Sequence, residues 1–436
     1  MKKIIYYKGL SVDCDIYTPT NYEQFYSEYT GKGKGNVGNK LFVQAAEKYI
    51  TNDYTSHTYV YYDETNFKPF ANDDNIDNLN ENYDLVIMPQ ANIFCNSDTH
   101  RNLLKMWTNG IKQFKIPVFV LGVGIQMDSI SELHTLINSI KREAVDFIES
   151  VLVTGGNISL RGYQTKMFFD ALGFPNTVVT GCPSMFQKGR NIHITTQKIK
   201  ETEFKPVING HLGLFYKPSF ANIFSHYKNA VYLDQDQTSS VLYNPEFFEQ
   251  IKHDKDIFSK IPYKALKLIA EKRLFLFYDI QAIFNYLTQN RINFSYGSRI
   301  HGNIMALLNG IPSFVYVIDS RTEELADYFN IPHSRKIHSS NIYEEYLKCD
   351  YEKFNSVFPK LFDKFEKYLM ENHIIENKLD DFSLFDKKIE NTIWQTPAII
   401  NQSKIDNLVG RLRTHNIWNN VYDYLRAYTK QILRYF

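Results

Sequence analysis

The sequence predicts an α/β protein made of two Rossmann-like doubly wound domains that face each other across a cleft, with a helical C-terminal extension. Three observations predict it. At 436 residues the chain is too long for one ordinary core and long enough for two. Short apolar runs alternate with longer segments of helical period, the pattern of βαβ units around a parallel sheet. The alternation breaks once, in the polar stretch 187–210, and then resumes.

In the first half, strands are expected at Lys3 to Tyr7, His57 to Tyr62, Asp84 to Pro89, Val118 to Val123, Ser150 to Thr154 and Thr177 to Thr180. Helices are expected between them at Lys40 to Ile50, Asn102 to Phe114, Ile130 to Ile148 and Tyr163 to Leu172. The second half restarts with strands at Leu212 to Tyr216 and Ala230 to Leu233, and its pattern fades through the charged segment 246–272. It then resumes as strand Arg273 to Tyr278, helix Ile280 to Thr288, strand Ile292 to Tyr296, helix Ile300 to Leu308, strand Ser313 to Ile318 and helix Thr322 to Phe329. The expected boundaries are a first domain over 1–186, a linker over 187–210, a second domain over 211–345 and the extension over 346–436. In such a pair the strands' C-terminal ends point into the groove, so ligands are expected there.

Charge and cysteine usage exclude several classes. A formal net charge of +1 argues against a chain that coats nucleic acid. Four cysteines, Cys14, Cys95, Cys182 and Cys349, stand far apart with no C-x-x-C spacing, so neither a disulfide framework nor a zinc site is suggested and reduced thiols are expected. The opening MKKIIYYKGL has an apolar run too short for a signal-peptide core, and no stretch approaches the ~18 apolar residues of a spanning helix. A cytoplasmic chain, with at most peripheral membrane contact, is expected.

The stretch YGSRIHGNIMALLNGIP, residues 296–312, carries the sharpest signal. It places Gly297, Ser298, Arg299, His301 and Gly302, with Asn303 following, at the mouth of a helix, where unpaired amides and the positive dipole end favour an anion. Arg299 offers a planar, permanently charged fork for carboxylate or phosphate. His301 is the group there that trades a proton near neutral pH, unless it is merely a packed or capping histidine. Arg161 stands at a second strand-to-helix junction, in VLVTGGNISLRGYQTKMFF, with a surface pairing to Asp170 as the alternative. Arg321, in VIDSRTEELADYF, opens a further helix. Three arginines at three strand ends suit a small ligand with several negative charges. Gly33, Gly35 and Gly38 formally match G-x-G-x-x-G, but no apolar strand precedes them, so dinucleotide binding is disfavoured. The loop entering the helix near Lys40 instead offers Asn36 and Asn39 to a sugar hydroxyl or an anion, or simply caps the helix.

These stretches, together with GNVGNKLFVQAAEKY, YDLVIMPQANIF, PVFVLGVGIQ and ISLRGYQTKMFFDALGFPNTVVTGCPSMF, resemble the polysaccharide pyruvyl transferase family over roughly residues 33–333. The resemblance implies a glycosyltransferase-B-like pair of domains. It further implies transfer of a pyruvyl unit from phosphoenolpyruvate to a sugar of a surface or capsular glycan or its lipid-linked precursor, closing to a ketal. Carried over residue by residue, the family's Arg-(Leu/Ile)-His motif falls on Arg299, Ile300 and His301, which makes His301 the general acid, and Arg161 becomes a donor-anion contact. Arg321 stands where a lysine is common, keeping charge and altering geometry. Residues 88–92, MPQAN, stand where many members carry a run of glycines, which leaves the acceptor sugar open. No metal and no cofactor are demanded, since guanidinium groups can neutralise the donor. A nucleotide-sugar glycosyltransferase on the same scaffold is the alternative, and a non-catalytic glycan-binding component is a third possibility.

Residues 404–436 carry Lys404, Arg411, Arg413, Arg426, Lys430 and Arg434 against Asp406 and Asp423, with Trp418, Val421, Tyr422, Leu425, Tyr428, Ile432, Leu433 and Phe436 at helical spacing. Two expectations follow: that residues 416–436 lie as a basic amphipathic helix on the inner face of an anionic membrane, or that they pack back across both domains.

Overall fold

A computed structural model describes residues 2–8, 37–50, 56–61, 73–235, 262–271, 273–276, 280–335 and 341–376. Asn36 and the tail 404–436 therefore lie outside the described residues.

The first unit comprises β1 (Lys3–Lys8), α1 (Val37–Ile50), β2 (Ser56–Tyr61), α2 (Asp73–Asn82), β3 (Leu85–Pro89), β4 (Asn92–Cys95), α3 (Asp98–Ile111), β5 (Val118–Gln126), α4 (Leu133–Val153), β6 (Asn157–Leu160), α5 (Tyr163–Ala171) and β7 (Val178–Val179). Its strands form one parallel sheet in the order β2-β1-β3-β5-β6-β7, with β4 pairing alongside β5. The second unit comprises β8 (Pro206–Asn209), α6 (Pro218–His226), β9 (Val231–Asp234), α7 (Tyr263–Ala270), β10 (Leu274–Leu276), α8 (Ile280–Gln289), β11 (Phe294–Gly297), α9 (Ile300–Leu308), β12 (Ser313–Tyr316), α10 (Ser320–Phe329) and β13 (His333–Ser334). Its sheet is parallel too, in the order β10-β9-β8-β11-β12-β13. Helices α11 (Ile342–Lys348) and α12 (Glu352–Glu371) follow.

Parallel strands are covered on both faces, so they read as near-continuous apolar runs. The run VFVLGVGIQ of β5 is buried along all but its last residue and LVIMP of β3 throughout. The two sheets meet with their C-terminal ends facing. Met127, just past β5, and Ser320, at the head of α10, exchange two hydrogen bonds across the junction, from Met127 N to Ser320 Oγ at 3.0 Å and from Ser320 N to Met127 O at 2.9 Å. This is the expected glycosyltransferase-B-like arrangement. Helix α12 ties it together. Tyr351, at its start, shares hydrogen bonds with the backbone of Ser313 in the second sheet. Asn372, at its end, accepts from Asn157 of the first, at 3.2 Å. Between them Phe358, Phe362 and Phe365 close on Phe186.

Two stretches depart from the sequence expectation. Residues 150–154 are the end of α4, not a strand: Val151 continues the buried face of Leu136, Ile140, Ala144, Phe147 and Ile148, and Gly155, at φ +79°, stops the helix. The strand comes later, at Asn157–Leu160. Likewise Leu212–Tyr216 is a 3₁₀ turn, and the strand expected there is β8, a buried PVIN inside the stretch expected as linker and flanked by β9 and β11. Four residues bracketed by polar neighbours give too short an apolar run to register. Strand β4 and helices α2 and α6 were not anticipated either.

Candidate active site

The loop from β11 into α9 is set by a buried polar network. Asn209, the last residue of β8, accepts from Arg299 N through its side-chain oxygen at 3.0 Å and from Ser298 N through its carbonyl at 3.1 Å. Its amide donates to Ser295 Oγ and to Asn303 Oδ1. Asn303 also accepts from Ser295 Oγ at 2.8 Å and donates to Gly297 O at 2.9 Å. Gly297 has no alternative, because a Cβ there would fall 1.7 Å from the Asn209 carbonyl. The network fixes Arg299 as the N-cap of α9 and puts His301 in its first turn.

His301 reaches across the junction. Its ring packs on Gly38 in the first turn of α1, so closely that a Cβ on Gly38 would sit 2.7 Å from the imidazole Nδ1. Its Nε2 lies 3.9 Å from Cys182 Sγ, a buried thiol of the first unit. Burial, then the charges of Arg161, Arg321 and Arg299, push the His301 imidazole down to about 3, so the resting ring is neutral although it remains partly open to solvent.

Arg161 follows β6, from the other unit. It is 1% exposed, its backbone N–H donates to Val123 O, and its guanidinium donates from Nη1 to Asn92 Oδ1 at 2.9 Å. Asn92 in turn donates to Gln126 Oε1 at 2.9 Å, so β4 and β5 together aim the side chain. Gly124 leaves it room, since a Cβ there would press on the guanidinium at 3.2 Å. Its Nε is buried with no hydrogen-bond partner among the described residues, as is Nε of Arg321. Arg321 is half-buried on α10, within 3.3 Å of Asp319, whose carboxylate caps that helix through Thr322 N. Burial and the nearby Arg321 depress the Arg161 guanidinium, which still keeps its charge.

The structure thus brings His301, Arg161, Arg299 and Arg321 together. Arg161 does not pair with Asp170, which is bonded to Lys166 instead. Other expected contacts fall differently. Asn303 has its amide engaged by Asn209, Ser295 and Gly297, so it shapes the loop from within. Gly302 faces the second unit's interior, where a Cβ would meet Gln235 Nε2 at 2.2 Å and Asn209 at 2.9 Å. Ser298 is fully buried beside Gly210, its hydroxyl without a partner among the described residues. Asn39 falls in the first turn of α1, next to Gly38. Sequence reasoning missed Asn209, Asn92, Cys182 and Glu324. A polar residue closing an apolar strand at its C-terminal end was the available signal for Asn209, at the end of PVIN. Glu324, from α10, is the partner that α5 lacks in its own sequence. With Gly162 as N-cap, α5 takes the Glu324 carboxylate on Thr165 N at 2.5 Å and Thr165 Oγ1 at 2.9 Å.

Among solved structures the chain is similar to a candidate UDP-N-acetylglucosamine 2-epimerase from Listeria monocytogenes, at 12% identity over 87% of this chain and 98% of that one, with a TM-score of 0.43. It is similar also to the UDP complex of MnaA from S. aureus, at 12% identity over 87% and 100% of the two chains and a TM-score of 0.40. The T4 phage BGT complex with UDP and Mn2+ matches at 11% identity over 85% and 99%, with a TM-score of 0.31. No curated protein matches the sequence. The family model described as polysaccharide pyruvyl transferase matches residues 36–320, which spans Gly38, Arg161, Cys182, Arg299 and His301 and ends on Ser320, one residue before Arg321. With more than half of its length so matched, the chain belongs to the polysaccharide pyruvyl transferase family.

Proposed function

We propose that this chain transfers the pyruvyl group of phosphoenolpyruvate to a sugar diol of a surface or capsular glycan, or of its lipid-linked precursor, and closes it as a cyclic ketal. The observation that carries this reading is the convergence of three guanidinium groups, from the ends of β6, β11 and β12, on one imidazole. Phosphoenolpyruvate brings a carboxylate and a phosphate, enough negative charge to answer Arg161, Arg299 and Arg321. The buried Nε of Arg161 and of Arg321, without a partner among the described residues, are donors suited to such an anion.

The same electrostatics set the proton chemistry. An empty site keeps His301 neutral, because burial and three positive charges oppose a fourth. Donor binding cancels those charges, so the imidazole takes up a proton as the substrate arrives. His301 gives that proton to the methylene carbon of the donor while one sugar hydroxyl attacks the adjacent carbon, and it takes back the proton that hydroxyl loses. The second hydroxyl then displaces phosphate, its proton leaving with the phosphate, and the ring closes. Positioning and charge stabilisation supply most of the acceleration, with acid catalysis adding roughly 10²- to 10⁴-fold.

The test is mass spectrometry of candidate glycans incubated with the protein and phosphoenolpyruvate. A pyruvate ketal together with released phosphate is expected, and His301→Ala abolishes it while donor affinity stays within roughly tenfold. Thermal stabilisation by UDP or CMP, with none by phosphoenolpyruvate, would overturn the reading in favour of a nucleotide-sugar donor.

A further inference from the structure

Cys182 has no place in the chemistry above, yet its side chain meets Nε2 of His301. Its Sγ stands 3.9 Å from Nε2, the hydrogen-bond contact of that ring nitrogen among the described residues, and 2.9 Å from Ser184 Oγ. The sulfur's position is set by backbone. Gly181 before it, at φ +85°, is backed by Tyr328 and Phe329 at 2.7 Å from the Cβ it lacks, and Pro183 after it lies against Gly122. Cys182 is itself fully buried, and its carbonyl accepts from Met185 N at 3.1 Å. The backbone therefore fixes where the thiol sits, within reach of both Ser184 and His301.

We infer that the Cys182 thiol selects the tautomer of His301, donating its S–H to Nε2 so that the resting ring carries hydrogen on Nδ1. Either atom can donate in the contact between Cys182 Sγ and Ser184 Oγ; with Ser184 Oγ as the donor, the S–H turns towards the ring. The charges that weigh on the imidazole are those of Arg161, Arg321 and Arg299, all cations and all donors. Burial raises the thiol and lowers the imidazole, which favours a neutral thiol–imidazole pair over thiolate–imidazolium and makes Cys182 a positioning residue, not a nucleophile. What the proton is used for rests on the pyruvyl-transfer reading; the tautomer does not.

The experiment is ¹⁵N NMR of the histidine rings in the full chain, compared with Cys182→Ala and Cys182→Ser, using His301→Asn to assign the signal. The wild-type ring is expected as the Nδ1–H tautomer, Cys182→Ala should move it towards Nε2–H, and Cys182→Ser, which keeps a donor, should restore Nδ1–H. Cys182→Val, which fills the volume without a donor, replaces the alanine variant if that one fails to fold. In assays with phosphoenolpyruvate and acceptor, the alanine or valine variant is expected to lose kcat by roughly tenfold or more with KM for the donor unmoved, and serine to recover most of it. A wild-type Nε2–H tautomer, or one that ignores all three substitutions, overturns the inference. Tautomer shifts as described in a protein that transfers no pyruvate would instead overturn the functional reading and leave the thiol's role standing.

Discussion

At the scale of single residues, the site is a place where a histidine is kept unprotonated by its surroundings, and that has a cost in stability with a definite sign. The unfolded imidazole takes up its proton near 6.5, whereas in the fold burial and the three arginines hold it down to about 3. Between those values the unfolded chain binds more protons than the folded one, so stability falls as pH drops through the window, by at most about 1.4 kcal/mol per pH unit from this group. His301→Asn removes the group, so urea unfolding at pH 6.5 and pH 5 is expected to show a smaller acid loss for the variant than for the wild type. Equal losses would mean that the imidazole is not held neutral. Arg299 and His301 were legible in the sequence because a charged fork and a titratable ring stood at an evident strand-to-helix turn. Asn92 and Cys182 were not legible, because nothing in MPQAN or GCPSMF tells which distant side chain each will meet.

At the scale of elements, strands showed wherever both faces are buried over five residues or more, as in β3 and β5. Length alone does not decide it, since the four-residue β9, β11 and β12 showed as well; β8 was missed because its PVIN lies inside a polar stretch, and its identity comes from pairing with β9 and β11 rather than from its own pattern. Helix α1 carries a further consequence. Its first turn holds Gly38 although alanine is intrinsically better in a helix by about 1 kcal/mol. The glycine is there for His301, whose Cβ and Nδ1 a Cβ at this position would approach to 2.7 Å. Gly38→Ala is therefore expected to cost about 1–3 kcal/mol by overpacking, less about 1 kcal/mol regained in helix propensity, and to lower pyruvyl transfer by roughly hundredfold, the scale of a catalytic group displaced by about an ångström. A variant that keeps full turnover would show that the contact between α1 and His301 does not position the ring, while one that simply unfolds would make Gly38 a packing residue.

At the scale of the whole molecule, two sheets share one site only if the junction between them is held, and part of the holding is polar, buried at Glu324 and Ser320 and open to solvent at Arg335. Glu324, on α10 of the second unit, puts its carboxylate on the N-terminus of α5 in the first, and a Cβ on Gly162 would fall 2.2 Å from its Cγ, so the approach requires glycine there. Ser320 and Met127 exchange hydrogen bonds nearby, Gln164 donates to Glu323 at 3.2 Å, and the Arg335 guanidinium reaches the Asp128 carbonyl at 3.1 Å. The same α10 carries Arg321, and α5 begins two residues after Arg161, so what aligns these helices also spaces two of the three arginines around His301. Glu324→Ala strands Thr165 N–H without its acceptor and is expected to destabilise the fold by about 1–3 kcal/mol. Glu324→Gln keeps a carbonyl oxygen for Thr165 N and should lose less. Hydrogen exchange separates a junction from a local cap: protection should fall together at Thr165 and Met127 in the first unit and at Ser320 in the second. Loss confined to the first turn of α5, with Met127 and Ser320 unchanged and donor affinity intact, would show that Glu324 only caps a helix and that the two units are aligned by α12 instead.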